Sequence, residues 1–366
     1  MAVDDKNPLW WNGKQYAKFL IIENHDIHTG FCAFIIFVLN GIRKAISINA
    51  IPVLDFNKHN TPYLWDEHKG DFIWEYFFEP FYPVDINTVR ALLETGQLKE
   101  NLVEILSPNE FGYLHHHDPD RLATFWAWDA PQDKVTWMQE KRTLGREFIN
   151  KYVQPKSHIL EKVEHFCSQH FTRTVIGVHI RGTDFNYATP IAIDTYFTEL
   201  EKIIAKLHDY NIGIFIATDQ QQYLACFHER YGDRVLARDV TRSSNHIAPV
   251  KFDDVSGYQK GEEALVDMLI LSRCQHVIKG PGALGEMSLW FGTHHKITDL
   301  AIHCDFNTKH YSQMTSAYAV FNIGKLTSLQ LIGHKLKTSF IRLLFSFRIV
   351  AYFYKRFKQV RHWLMH

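Results

Sequence analysis

After Asp305 the chain contains no aspartate or glutamate, yet ten lysines and arginines follow it. All 40 acidic side chains therefore lie before residue 306, against thirty of the 40 basic ones, so a body of net −10 carries a tail of +10. The whole-chain charge is zero, which gives no reason to expect a nucleic-acid partner. Cysteine is also sparse. Cys32, Cys167, Cys226, Cys274 and Cys304 are odd in number and widely spaced, with no CxxC pair. That pattern excludes a disulfide framework and a Cys-based zinc site, and it points to a reducing, cytoplasmic setting. Long apolar runs are missing too. Phe31–Leu39 is much shorter than the ~20 residues a membrane span needs. The opening MAVDDKNPLWWNGKQ lacks the basic-then-apolar pattern of a secretory signal.

The chain has 366 residues, room for two domains with proper cores. No internal repeat or low-complexity segment interrupts it. AKFLIIE (17–23) reads as a strand, NHDIHTG as a loop, 31–48 as a helix apolar on most sides, and IPVLDF (51–56) as a second strand. This is the start of a parallel sheet. Helices are expected over 85–106 and 130–170. In the second half, strands at 174–180, 212–217 and 275–279 alternate with helices near 193–208, 219–231 and 261–273, and a further helix follows Gly280-Pro281-Gly282. The expected fold is α/β with two Rossmann-like lobes joined near 155–172.

Three stretches combine a strand end with polar residues. TVIGVHIRGTDF (174–185) runs from an apolar strand into His179, Arg181, Thr183 and Asp184. Ligands of open α/β sheets bind at the carboxyl ends of strands, and the guanidinium of Arg181 offers planar donors suited to phosphate oxygens. A polar strand end closed by an Arg181–Asp184 ion pair is the alternative. In FIATDQQQYL, Thr218 or Asp219 is placed to cap the next helix. On the helix GEEALVDMLIL, Asp267 lies among apolar residues and needs a partner; a guanine edge or Arg273 would serve. Finally, GPGALGE (280–286) lies between a strand and a helix, where free N–H groups favour an anion and glycines permit close approach.

In this order, β-HxRxxD, β-ATD-α, an acidic helix and a small-residue loop opening a helix, the sequence resembles the GDP-fucose-dependent fucosyltransferases. The relatives in pattern are the α1,6-, nodulation-type and protein O-fucosyltransferases. HIRGTD (179–184) matches their H-x-R-x-x-D core, and GDFIWEYFFEP (70–80) resembles a Trp-Glu segment of that group. The likeness covers roughly 17–300, tightly only over 175–290. It implies a GT-B architecture: an acceptor-side lobe (1–165), a GDP-sugar-binding lobe (166–305) and a basic extension (306–366). It implies an inverting transfer of L-fucose from GDP-fucose to a sugar hydroxyl of a glycan, with no metal or other cofactor. Arg181 would stabilise the departing diphosphate. His179 and Asp267 would contact the nucleotide, Thr218 and Asp219 would border it, and the backbone at Gly282, Ala283 and Leu284 would approach the pyrophosphate. Gly30 and Phe31 would close over the donor from the other lobe. The base stays open among Asp184, Glu75 and Glu23.

The sequence departs from the family in three places. Gly182 stands where a second arginine is common, GPGAL replaces a serine-rich loop, and no Glu follows Asp184 at the spacing some relatives use. A transferase for another nucleotide sugar is one rival; Gly182 and GPGAL keep open a second, a non-catalytic, membrane-attached nucleotide or glycan binder. HHH (115–117) with Asp118-Pro119-Asp120 admits a metal motif, but a Pro between two Asp reads as a turn. The aromatic-acidic residues Trp65, Asp66, Glu67, Trp74, Glu75 and Tyr76 suit either sugar stacking or inter-lobe packing. Residues 334–366 pattern as a basic amphipathic helix for the anionic inner face of a membrane; wrapping onto the acidic body is the alternative. A lipid-linked surface-polysaccharide precursor would be a fitting acceptor at such a surface.

Overall fold

The computed structural model describes residues 9–304 apart from 12–13, 26–28, 123–130, 184–187, 189–190, 208–210 and 293–295. Strands β1 (Trp10–Trp11) and β2 (Lys14–Gln15) form a small antiparallel pair. β3 (Lys18–Glu23), β4 (Ala50–Asp55) and β5 (Val103–Ile105) form a parallel sheet in the order β4-β3-β5. A second parallel sheet has the order β10-β9-β6-β7-β8. Its strands are β6 (Thr174–Ile180), β7 (Ile212–Thr218), β8 (Val235–Leu236), β9 (His276–Lys279) and β10 (Lys296–Asp299). The fold is mixed α/β with parallel sheets.

Helix α1 (Phe31–Ser47) crosses over between β3 and β4 and is buried along most of its length. Its Gly41 lets β3 approach, since a Cβ there would stand 2.8 Å from Ile22. α2 (Ile86–Glu94) starts at Asp85, whose carboxylate accepts the Thr88 N–H, and α3 (Pro108–His116) starts at a Ser107/Glu110 capping box. α4 (Lys134–Tyr152) and α5 (Ser157–His170) precede the second sheet. Its crossover and flanking helices are α6 (Ile193–Leu207), α7 (Gln221–Tyr231), α8 (Gly257–Leu271) and α9 (Ala283–Phe291). One apolar cluster joins the two sheets: Leu20, Ile22, Phe34 and Trp74 belong to the same buried core as Val175, Phe215, Val277 and Trp290.

The structure redraws two helices. The helix expected over 85–106 stops at Glu94 and is followed by Gly96 at φ +71°, a short 3-10 turn and strand β5. The left-handed glycine ends the helix, and pairing with β3 claims the next apolar residues. The helix expected over 130–170 is two helices, broken at Val153–Lys156. Pro155 supplies no N–H there and biases Gln154 away from helical angles. The Asp118-Pro119-Asp120 segment is a turn: Asp118 pairs with Arg43 and accepts the Asp120 N–H.

Candidate functional site

The carboxyl ends of β6, β7 and β9 lie side by side, in the register His179–Ala217 and His179–Lys279. From the end of β7, Asp219 reaches sideways to the end of β6. Its Oδ2 accepts from Arg181 Nη1 at 2.6 Å and from the Thr183 hydroxyl at 2.7 Å. Its Oδ1 accepts the Gly182 N–H, also at 2.7 Å. Neither Thr218 nor Asp219 caps the following helix, as the sequence suggested. Gln220 holds the N-cap position without a side-chain cap bond. Thr218 is buried and its hydroxyl accepts the Gln220 N–H. Arg181 thus pairs with Asp219; Asp184 lies outside the described residues. Gly182 is walled in, since a Cβ there would fall 2.3 Å from Gln220 Oε1 and 2.8 Å from Gln220 Cβ. No arginine fits at that position.

His179 is buried between this loop and the glycine turn after β9. Cβ atoms at Gly285 and Gly282 would come within 2.5 Å of its Nδ1 and 3.0 Å of its Cε1. Burial first, then the charges of Lys279 and Arg181, lower its pKa to about 3. The ring is therefore neutral around pH 7 and carries one N–H donor and one acceptor. Gly282, at φ +149°, is the N-cap of α9, with half-buried Ala283 and Leu284 in the first turn. A side chain on Gly282 would sit 3.6 Å from Arg181 Cβ, so the N–H-rich start of α9 adjoins Arg181. Beneath it, Glu286 and Asp299 are shared by two buried cations. Arg142 bonds Glu286 with two nitrogens at 2.7 and 2.8 Å and also pairs with Asp299. Lys279 Nζ lies 3.0 Å from each carboxylate.

Asp267 is buried on α8, and its partner is Arg238, at 3.0 Å from Oδ1, rather than Arg273, which pairs with Glu164. Burial raises the Asp267 pKa against the pull of Arg238 and Arg242. Burial pushes up the pKa of the Cys32 thiol in the first turn of α1, with smaller effects from the charges of Arg181 and Asp267. Gly30 precedes that turn with open space where a Cβ would be. Phe31 points into the core, with its ring 4.6 Å from that of Phe77. Glu75 sits on the 3-10 turn Ile73–Tyr76 and faces a small hollow with Leu54, Phe72, Trp74, Phe81, Tyr82 and Asp85. Burial raises its pKa, and the charges acting on it are Lys156, Asp85 and Glu79. Glu23 ends β3.

The structure thus gathers His179, Arg181, Thr218, Asp219 and Gly282 at the carboxyl end of one sheet. Sequence reasoning missed Arg238, Arg242, Lys279, Glu286 and Arg142. A lysine ending the apolar strand QHVIK and a glutamate in the apolar helix ALGEMSLWF were the available signals for the buried network.

No protein-family model and no curated protein matches the sequence. Among solved structures, the fucosyltransferase NodZ from Bradyrhizobium is 17% identical over 78% of this chain and 97% of its own, with a TM-score of 0.46. A point mutant of Arabidopsis thaliana FUT1 in complex with GDP is 10% identical over 81% of this chain and 73% of its own, with a TM-score of 0.44. POFUT1 in complex with GDP-fucose is 8% identical over 80% of this chain and 99% of its own, with a TM-score of 0.43. The chain is similar in structure to these solved fucosyltransferases.

Proposed function

We propose that this protein is an inverting glycosyltransferase that moves L-fucose from GDP-fucose to a sugar hydroxyl of a glycan. The observation that carries the reading is the arrangement of Arg181. It is fixed by Asp219 at 2.6 Å and stands beside a glycine turn whose N–H groups open α9. As the bond from the anomeric carbon to the β-phosphate oxygen breaks, negative charge grows on the departing GDP. A guanidinium already held in place, with a helix N-terminus next to it, stabilises that charge with little reorganisation. Neutral His179 supplies a hydrogen-bonding edge rather than a second charge. Asp267 keeps one carboxylate oxygen beyond its Arg238 bond, enough to accept from a guanine edge. Asp184, Glu75 and Glu23 are the candidates for accepting the acceptor's proton, and no metal is invoked.

A related transferase for another nucleotide sugar is the second reading, because Asp267 is already engaged by Arg238. The basic tail supports an acceptor at an anionic membrane surface, such as a lipid-linked polysaccharide precursor on the cytoplasmic face. No described helix is long and apolar enough to cross a membrane.

A thermal-shift screen over GDP-, UDP- and dTDP-sugars tests the donor. Selective stabilisation by GDP-fucose is expected, growing with the logarithm of its concentration. The absence of any shift with GDP-fucose overturns the donor assignment. Binding without hydrolysis or transfer to any acceptor would identify a non-catalytic binder.

A further inference from the structure

A nucleoside diphosphate carries more negative charge than one guanidinium offsets, and Arg181 is already half-committed to Asp219. Gly182, next in sequence, has no room for a side chain. The backbone next to Asp219 on its far side carries a second cation, Arg242. The loop after β8 runs parallel to residues 219–221 and is pinned to them: Ser243 N–H donates to the Asp219 carbonyl at 2.9 Å, and Gln221 N–H donates to the Ser243 carbonyl at 2.9 Å. Arg242 immediately precedes Ser243, which places its backbone about two strand spacings, roughly 10 Å, from that of Arg181. Two extended arginine side chains are long enough to meet a ligand across that separation.

Of the carboxylates whose charges act on Arg242, Asp267 comes first. Asp267 is taken by Arg238 at 3.0 Å. Glu263 accepts the Thr241 N–H at 2.9 Å and Gln259 at 2.8 Å. Asp267, Asp239 and Glu263 all act on Arg242 through space, without a direct ion pair. The half-buried Arg242 forms no ion pair among the described residues. Among the described residues its one hydrogen bond runs from Nη2 to the Arg238 carbonyl at 3.0 Å, and its buried Nε has no partner there. A partly buried guanidinium whose Nε–H finds no acceptor among the described residues suits an anionic ligand.

We infer that Arg242 is the second cationic contact for the diphosphate of the bound nucleotide, completing with Arg181 a clamp that straddles Asp219. This rests on the nucleotide-sugar reading of the same site. It assigns diphosphate recognition to a loop two strands away from the HxRxxD segment.

The test is isothermal titration of the full-length protein with GDP, UDP and guanosine, for the wild type and Arg242→Ala. Arg242→Ala is expected to weaken GDP about tenfold or more, the scale of a lost charged hydrogen bond, while guanosine affinity and the thermal midpoint hold. Should the alanine variant fail to fold, Arg242→Met, which keeps the apolar stem, carries the same comparison. Unchanged GDP affinity overturns the inference alone. Equal losses for GDP and guanosine also overturn it, because they report a collapsed loop. A wild type that binds neither GDP nor UDP overturns the nucleotide-sugar reading itself, and the clamp with it.

Discussion

Asp219 holds Arg181 across the gap between two neighbouring strands, with Oδ2 2.6 Å from Nη1, and with its other oxygen it takes the N–H of Gly182. A carboxylate at that position commonly caps its own helix. Here it leaves α7 uncapped by a side chain and fixes the end of β6 instead. The guanidinium is thereby oriented before any ligand arrives.

Arg181→Ala is expected to lower turnover with GDP-fucose by more than roughly tenfold, the scale of one lost transition-state donor, with thermal unfolding unchanged. Asp219→Asn keeps the shape but removes the charge that fixes Arg181, and should reduce kcat/KM by about tenfold. The double variant should lose much less than the product of the two effects, because both act on one interaction. Steady-state kinetics on the three variants decides this, and fully additive losses would separate the two roles.

Stability should fall as the medium is acidified below about pH 6.5. His179 takes up a proton at about 6.5 when unfolded but only at about 3 when folded. The neutral, buried ring is therefore favoured above 6.5, and that advantage drains away down to pH 3. By pH 5 the loss from this residue is about 2 kcal/mol. Urea unfolding at pH 7 and pH 5 measures it. His179→Asn should show a shallower dependence, and an unaltered slope would mean the ring is not titrating as described.

Arg142→Ala should destabilise the fold by about 3–5 kcal/mol, since it leaves Glu286 and Asp299 buried with only Lys279 to offset them. Denaturant midpoints give the value. A loss below about 1 kcal/mol would show that water reaches the network.

Removing residues 334–366 should release the protein from anionic liposomes in a sedimentation assay, since that segment carries eight of the ten tail cations. Continued sedimentation of the shortened chain would place the attachment elsewhere.

Much of this architecture was legible because its signals are local. β3, α1 and β4 follow from apolar runs, and α8 and β9 from a helix-length segment ending in a β-rich one. The strand ends that gather His179, Arg181 and Asp219 follow from the same alternation. What the sequence hid is pairwise. Asp219 as a brace, Arg238 as the partner of Asp267 and Arg142 as the partner of Glu286 join residues between 29 and 144 positions apart. Spacing within a motif says nothing about such partners. β5 was hidden for a different reason: it is three residues long, and pairing with β3 defines it more than its own composition does.

The apolar cluster that joins Leu20 and Phe34 to Phe215 and Trp290 has a practical consequence for dissection. A fragment ending near residue 165, or one beginning there, would present half of that cluster to water. Each half alone should be insoluble or collapsed, and the two should recover an ordered state only when mixed. Unfolding of the intact protein should then be a single cooperative event for both sheets. Truncation is therefore a poor way to isolate the nucleotide site, and point substitution is the better one.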